Sequence, residues 1–205
     1  MKFYDIEQGS EEWFNLRLGK ITSSHYSDIM AFTDGTKIEA KWGKGAIDYA
    51  QRIALERKTG KQIESFQSDW MKQGNENEPI ARAKYECKTF QIVSNGGLFI
   101  DGEYGTSPDG LIDDGGIEIK CVKHNTHFET IKRSSADPSY HWQYQGQMFV
   151  AKLSFVDYVE YCDIFPPETE LIIHRVERND DAIKFLKERL ELFKKLVYDY
   201  EKIIG

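Results

Sequence analysis

The segment Ser107-Pro108-Asp109-Gly110-Leu111-Ile112-Asp113-Asp114-Gly115-Gly116-Ile117-Glu118-Ile119-Lys120 leaves the chain almost one choice of local structure. Two apolar runs flank an Asp-Asp-Gly-Gly turn, a pattern that predicts a tight antiparallel hairpin. Side chains alternate faces along a strand, so Glu118 and Lys120 share one side while Ile117 and Ile119 take the apolar one. The turn then folds Asp109 back beside Glu118. Two carboxylates and an ammonium converge at one end of a sheet, and their like-charge repulsion is best relieved by a hard divalent cation with oxygen ligands. Mg²⁺ suits such a site, and Mn²⁺ is expected to substitute. The ion lowers the pKa of a bound water and neutralises charge on a phosphoryl transition state, with Lys120 placed to orient that water. The pattern alone also admits a plainer reading, in which Asp109, Asp113 and Asp114 are turn residues and Glu118 with Lys120 is a solvated cross-strand pair.

Before the hairpin the periodicity is mostly helical. Ser10 to Gly19 opens with a serine cap and two acids and stops at a glycine. Thr22 or Ser23 caps a second helix through Ala31, the loop Thr33-Asp34-Gly35-Thr36 follows, and a third helix runs from Gly45 to Thr59. A longer helical pattern covers about Ser65 to Cys87, with Pro79 expected to kink or restart it. Strand-like runs then appear at Thr89–Ser94, Gly97–Ile100, Thr106–Ile112 and Gly116–Cys121, and together they predict an antiparallel meander. Helices are expected at 125–133 and 138–152, strands at 155–161 and 171–176, and a charged amphipathic helix over 180–203. This order gives an α/β (α+β) sandwich, a central mixed sheet flanked by helices. It reads as one domain over 1–205: a mainly helical part (1–88), a sheet with a crossover helix (89–176) and a closing helix (180–204).

Composition narrows the function class. No stretch approaches the roughly 18 consecutive apolar residues of a membrane span, and Met1 to Gln8 lack the apolar core of a secretion signal, so a cytoplasmic protein is expected. Cys87, Cys121 and Cys162 are odd in number and far apart, which fits reduced thiols. The net charge of -7 argues against a general nucleic-acid binder. The first 75 residues, however, carry as many basic as acidic side chains, so the whole excess lies in the remainder.

Six blocks carry a resemblance: Gln8-Gly9-Ser10-Glu11-Glu12-Trp13; Leu16-Arg17-Leu18-Gly19-Lys20-Ile21-Thr22-Ser23-Ser24; Gly74-Asn75-Glu76-Asn77-Glu78-Pro79-Ile80-Ala81; Ser107-Pro108-Asp109-Gly110; Glu118-Ile119-Lys120; and Gln143-Tyr144-Gln145-Gly146-Gln147. In order and content they resemble the motifs of the phage lambda exonuclease / YqaJ-type viral recombinase family. The resemblance implies a PD-(D/E)xK nuclease with a restriction-endonuclease-like core. Its implied activity is digestion of one strand of linear duplex DNA from 5'-phosphorylated ends, leaving 3' single strands for a phage annealing partner in a bacterial host. It further implies Asp109, Glu118 and the Ile119 carbonyl as metal ligands and Lys120 as catalytic lysine. Glu78 and Gln145 complete the catalytic set, and Arg17 with Ser24 holds the 5'-phosphate. A homotrimer ring around DNA belongs to the same expectation.

Alternatives stay open at this point. Glu78 also reads as a solvated helical acid, Gln145 as a polar spacer and Arg17 as a helix-covering side chain. Gln143 and Gln147 lie roughly 200° from Gln145 on a helix and are less favoured than it. His124 and His127 lack a third ligand for zinc, and His141 is kept as a neighbour of the site. Lys37-Lys41 with Trp42-Gly43-Lys44-Gly45 reads as a solvated basic loop, and Glu188-Arg189 to Lys194-Lys195 as the wet face of the last helix. An endonuclease on the same core and a non-catalytic DNA-binding module remain the rival functions.

Overall fold

The structure, a computed structural model, describes residues 1–32, 41–63 and 69–205, the side chains of 69–75 excepted. The expected loop at 33–36, Lys37 and the expected helix start at Ser65 lie outside the described residues. The first helix, α1 (Glu11–Arg17), forms as expected: Ser10 Oγ accepts from Trp13 N at 3.2 Å, and Glu11 and Glu12 occupy the first turn. The second expected helix is instead divided. A two-residue strand, a 3-10 turn at Ser23–His25 and a single turn, α2 (Tyr26–Ile29), replace it, and Thr22 does not cap through its side chain. Its hydroxyl is drawn toward Arg17. Helix α3 (Lys44–Thr59) ends at Gly60, whose φ of 64° is the left-handed cap that glycine adopts without strain. Helix α4 (Asp69–Thr89) continues through Pro79 without restarting.

The run Thr89–Ser94 is a correction. Its alternation predicts a strand, yet it wraps around the end of α4. Phe90 N donates to Glu86 O, Thr89 Oγ1 to Tyr85 O, and Val93 N to Glu86 Oε1; only Ser94 reaches a strand, bridging Leu111. The expected single meander also divides. Strands β1 (Lys2–Tyr4), β2 (Ile21–Thr22), β3 (Leu98–Asp101) and β4 (Tyr104–Thr106) form one sheet in the order β1-β3-β4-β2. Strands β5 (Gly110–Ile112), β6 (Gly115–Cys121), β7 (Phe155–Tyr161) and β8 (Leu171–Glu177) form the second, in chain order. The chain changes sheets at Ser107-Pro108-Asp109.

β6 and β7 run parallel, Glu118 opposite Tyr158, and the crossover between them contains α5 (His124–Arg133) and α6 (His141–Ala151). Ala81 and Tyr85 of α4 pack on Ile117 and Ile119, which is why that face of β6 is apolar. Gly146 of α6 allows close approach to the 3-10 turn: a Cβ there would lie 2.4 Å from the Tyr26 ring. The last helix, α7 (Asp180–Ile204), packs Leu186, Leu190, Phe193 and Val197 against α3. Arg189, expected on its wet face, is instead buried, with its guanidinium 3.5 Å above the Trp42 ring. Trp42 is thus committed to the core. No helix among the described residues is long and apolar enough to cross a membrane.

Candidate active site

The hairpin brings Asp109, Glu118 and Lys120 together. β5 begins at Gly110, opposite Ile117, so the Ile119 N–H lies beyond the paired strand. The Asp109 carboxylate takes that bond, with Oδ2 accepting from Ile119 N at 2.6 Å. Asp109 N in turn donates to Ile117 O at 3.0 Å, and Arg82 of α4 donates to the Asp109 carbonyl. Glu118 is 3 % exposed. Its Oε1 accepts from Lys120 Nζ and Gln143 Nε2, and its Oε2 accepts from Gln147 Nε2. The ammonium of Lys120 also sits 4.9 Å from the centroid of the Tyr140 ring.

This distribution overturns one expectation. Gln145 faces the opposite way: its Nε2 donates to Glu177 O at 3.0 Å, and its Oε1 accepts from Asn179 N at 2.9 Å, so it ties α6 to the start of α7. Gln143 and Gln147, four residues apart on one helical face, turn to Glu118 instead. Helical spacing shows that only one of the two faces can meet β6; it does not show which. The other side chains missed from sequence are Arg82 and Tyr140, which no spacing links to the hairpin.

Burial raises the Asp109 carboxyl well above its usual range, and the nearby negative charges of Glu118 and Glu78 add to the shift against the opposing Lys120 and Ile119 N–H. Glu78, on α4, is raised by burial too, with Arg82 opposing and Glu118 reinforcing. Burial opposes the charge of Lys120, but Glu118 and Asp109 outweigh it and raise the ammonium above its usual value. Burial, then Glu78 and Asp109, also push the Cys121 thiol up to about 12. The set is thus short of positive charge. Its hard oxygen donors suit a Mg²⁺-type ion better than a soft one. Among the described residues no three carboxylate, imidazole or thiol side chains are grouped to hold a metal. Asp109 and Glu118 would therefore share an ion with backbone carbonyl, water or substrate oxygens.

A second group lies beside the first. Arg17 Nη2 donates to Thr22 Oγ1 at 3.1 Å and Ser24 Oγ at 3.0 Å, and the guanidinium stacks 4.5 Å from the Trp13 ring. Trp13 Nε1 donates to Ser107 Oγ at 2.9 Å, and Gln8 Nε2 to Pro108 O at 2.6 Å. The Arg17–Ser24 group is therefore fastened to the residues immediately before Asp109. Neither His127 nor His141 is hydrogen-bonded to Asp109, Glu118, Lys120 or Arg17 among the described residues. His127 is fully buried, with Nδ1 2.9 Å from Glu160 Oε1 and Nε2 donating to Thr169 O, and the His141 ring packs on Trp142.

The family model of the YqaJ-like viral recombinase domain matches residues 12–154. Among solved structures, the alkaline exonuclease LHK-Exo from Laribacter hongkongensis is 35% identical, with a TM-score of 0.83 over 95% of this chain and 96% of that one. LHK-Exo in complex with dAMP gives 36% identity and the same TM-score and coverage. A phage-related exonuclease from Haemophilus somnus 129PT shares the fold at 15% identity, with a TM-score of 0.74 over 93% of this chain and 97% of that one. No curated protein matches the chain.

Proposed function

Because the chain belongs to the YqaJ-like viral recombinase family, we propose that it is a DNA exonuclease that digests one strand of linear duplex from a 5'-phosphorylated end, releases 5'-mononucleotides and leaves a 3' single strand. The observation that carries this reading is the convergence of Asp109, Glu118 and Lys120 at the end of β6, with both Asp109 and Glu78 raised by burial and by the charge of Glu118. The similarity to LHK-Exo over nearly the whole chain supports it, and dAMP, which that protein binds, is the kind of product it requires.

Asp109, Glu118 and the Ile119 carbonyl would hold Mg²⁺, which supplies Lewis-acid activation of water and neutralises phosphoryl charge when bound. The Ile119 N–H fixes the Asp109 carboxylate, and Gln143 and Gln147 fix that of Glu118. Lys120, freed from Glu118, places its ammonium where negative charge develops on the scissile phosphate. Glu78 adds a carboxylate from α4 that accepts or relays a proton. Arg17 and Ser24 hold the terminal phosphate, since a guanidinium offers a fork of donors to phosphate oxygens. In this reading the 3' strand passes to a phage single-strand annealing protein in a bacterial host, and a homotrimer ring encloses the duplex.

The test is a time course on linear duplex with 5'-phosphate or 5'-hydroxyl ends, beside a covalently closed circle, with and without Mg²⁺. Mononucleotide release from phosphorylated ends only in the presence of the ion is expected. Appreciable cutting of the circle would assign the site to an endonuclease, and no cleavage of any DNA would leave a binding module.

A further inference from the structure

The terminal-phosphate group contains more positive charge than Arg17 alone. Arg52, on α3, stacks 4.8 Å from the Tyr49 ring, and the Tyr49 hydroxyl accepts from Thr22 N at 2.8 Å and lies 3.3 Å from Thr22 Oγ1, the group that receives Arg17. Burial disfavours the charge of Arg17, and the field of Arg52 disfavours it further, while Tyr49 and Glu56 oppose. The two cations therefore repel one another across Tyr49. Glu56 offsets this only in part: it lies 3.9 Å from Arg52 Nε and its Oε2 is spent on Gly19 N. The Nε atoms of both arginines are buried without a hydrogen-bond partner among the described residues.

Arg52 is held by its neighbour in the Ser23-Ser24-His25 turn. Its Nη2 donates to His25 Nε2 at 2.8 Å. A guanidinium has no acceptor, so this bond requires the lone pair of Nε2, and the imidazole proton must sit on Nδ1. Nδ1 lies 3.1 Å from Asp28 Oδ2 and donates to it, and the ring stacks on Tyr49 at a centroid distance of 4.2 Å. Asp28, His25 and Arg52 thus form a directed chain that ends on the guanidinium beside Arg17.

We propose that Arg52, positioned by His25, is the second cation of the end-binding pocket and matches it to a phosphate monoester. A terminal monoester carries about -1.5 to -2 charge near pH 7, one charge more than an internal diester at the upper limit. A single arginine matches the one charge of a diester; a pair whose repulsion is relieved by a dianion favours the end. This inference rests on the reading that Arg17 and Ser24 bind the 5'-phosphate.

The experiment measures kcat/KM on duplexes that differ only in a 5'-phosphate or 5'-hydroxyl, for the wild type, Arg17→Ala, Arg52→Gln, Arg52→Lys, His25→Ala and His25→Gln. The lost charge-assisted contact in Arg52→Gln is expected to lower the phosphate-over-hydroxyl ratio about tenfold, through KM on phosphorylated ends. Arg52→Lys keeps the charge and recovers part of the ratio. His25→Ala lowers the ratio, and His25→Gln restores it, because a glutamine amide accepts from Arg52 and donates to Asp28. Equal losses on both ends, or a ratio unchanged in Arg52→Gln while Arg17→Ala erases it, overturn the role of Arg52. An unchanged ratio in Arg17→Ala overturns the pocket reading itself.

Discussion

The exchange of roles within Gln143-Tyr144-Gln145-Gly146-Gln147 makes a sharp prediction. Replacing Gln147 by Met keeps the volume of a buried side chain but removes the donor to Glu118 Oε2. A hydrogen bond to a charged group contributes about 1.5–3 kcal/mol, and at 1.36 kcal/mol per decade turnover should fall about 10- to 150-fold if Glu118 is held by this bond in the working site. Gln145→Met removes two bonds, to Glu177 O and Asn179 N, neither of which touches the hairpin. At about 0.5–1.5 kcal/mol for each neutral bond, it should lower stability by about 1–3 kcal/mol and leave turnover per folded molecule within about twofold. The assay is single-turnover release of labelled nucleotide at saturating Mg²⁺, with the folded fraction of each variant fixed by thermal unfolding. A larger loss of turnover in Gln145→Met than in Gln147→Met would refute the assignment of faces.

Other perturbations follow the same geometry. Gly146→Ala drives a Cβ to 2.4 Å from the Tyr26 ring and 3.2 Å from Ser23 Cβ, so overpacking should cost about 1–3 kcal/mol in thermal unfolding. Tyr140→Ala removes the ring beneath the Lys120 ammonium, and a contact of about 0.5–2 kcal/mol implies a turnover loss of about two- to thirtyfold, which Tyr140→Phe should recover. Lys120→Ala should reduce turnover severely while end binding measured by equilibrium titration stays largely intact, because the lost charge acts on the transition state. Chelation should stop cleavage, and Mg²⁺ at 100 times its Kd should stabilise the wild type by about 2.7 kcal/mol. That increment should disappear in Asp109→Asn, as read by melting temperature with and without the ion.

The hairpin was legible because turn chemistry and alternation agree there: Gly110, Gly115 and Gly116 fix the bend, and Ile117 and Ile119 fix the buried face. What failed to show was short or non-local. β1 and β2 have three and two residues, too few for a period, and exist only because β3 and β4 offer them partners. Thr89–Ser94 has the alternation of a strand without an edge to join, with Phe90 and Ile92 left largely exposed. Arg189 reads as surface on any charge scale, and groups far away in sequence give its guanidinium a place inside: the Trp42 and Phe32 rings and the Ile29 carbonyl, to which its Nε donates. Within the site, Glu118 and Lys120 follow from one strand's periodicity, and Asp109 from the turn that folds the chain back on it. Which glutamines serve Glu118 depends on how α6 is rotated, and Gly146 against Tyr26 sets that rotation.

The bonds from Trp13 to Ser107 and from Gln8 to Pro108 close loops of 94 and 100 residues. Glu118 then waits for Gln143 and Gln147, 25 and 29 residues further on, and β6 for a parallel partner across a whole crossover. Such pairings form late, since the entropy of closing a long loop comes before any contact rewards it. A chain emerging from the ribosome therefore carries its acidic hairpin well before it carries a working one. Fragments cut short before α6 lack both amides that hold Glu118 and should be inert toward DNA.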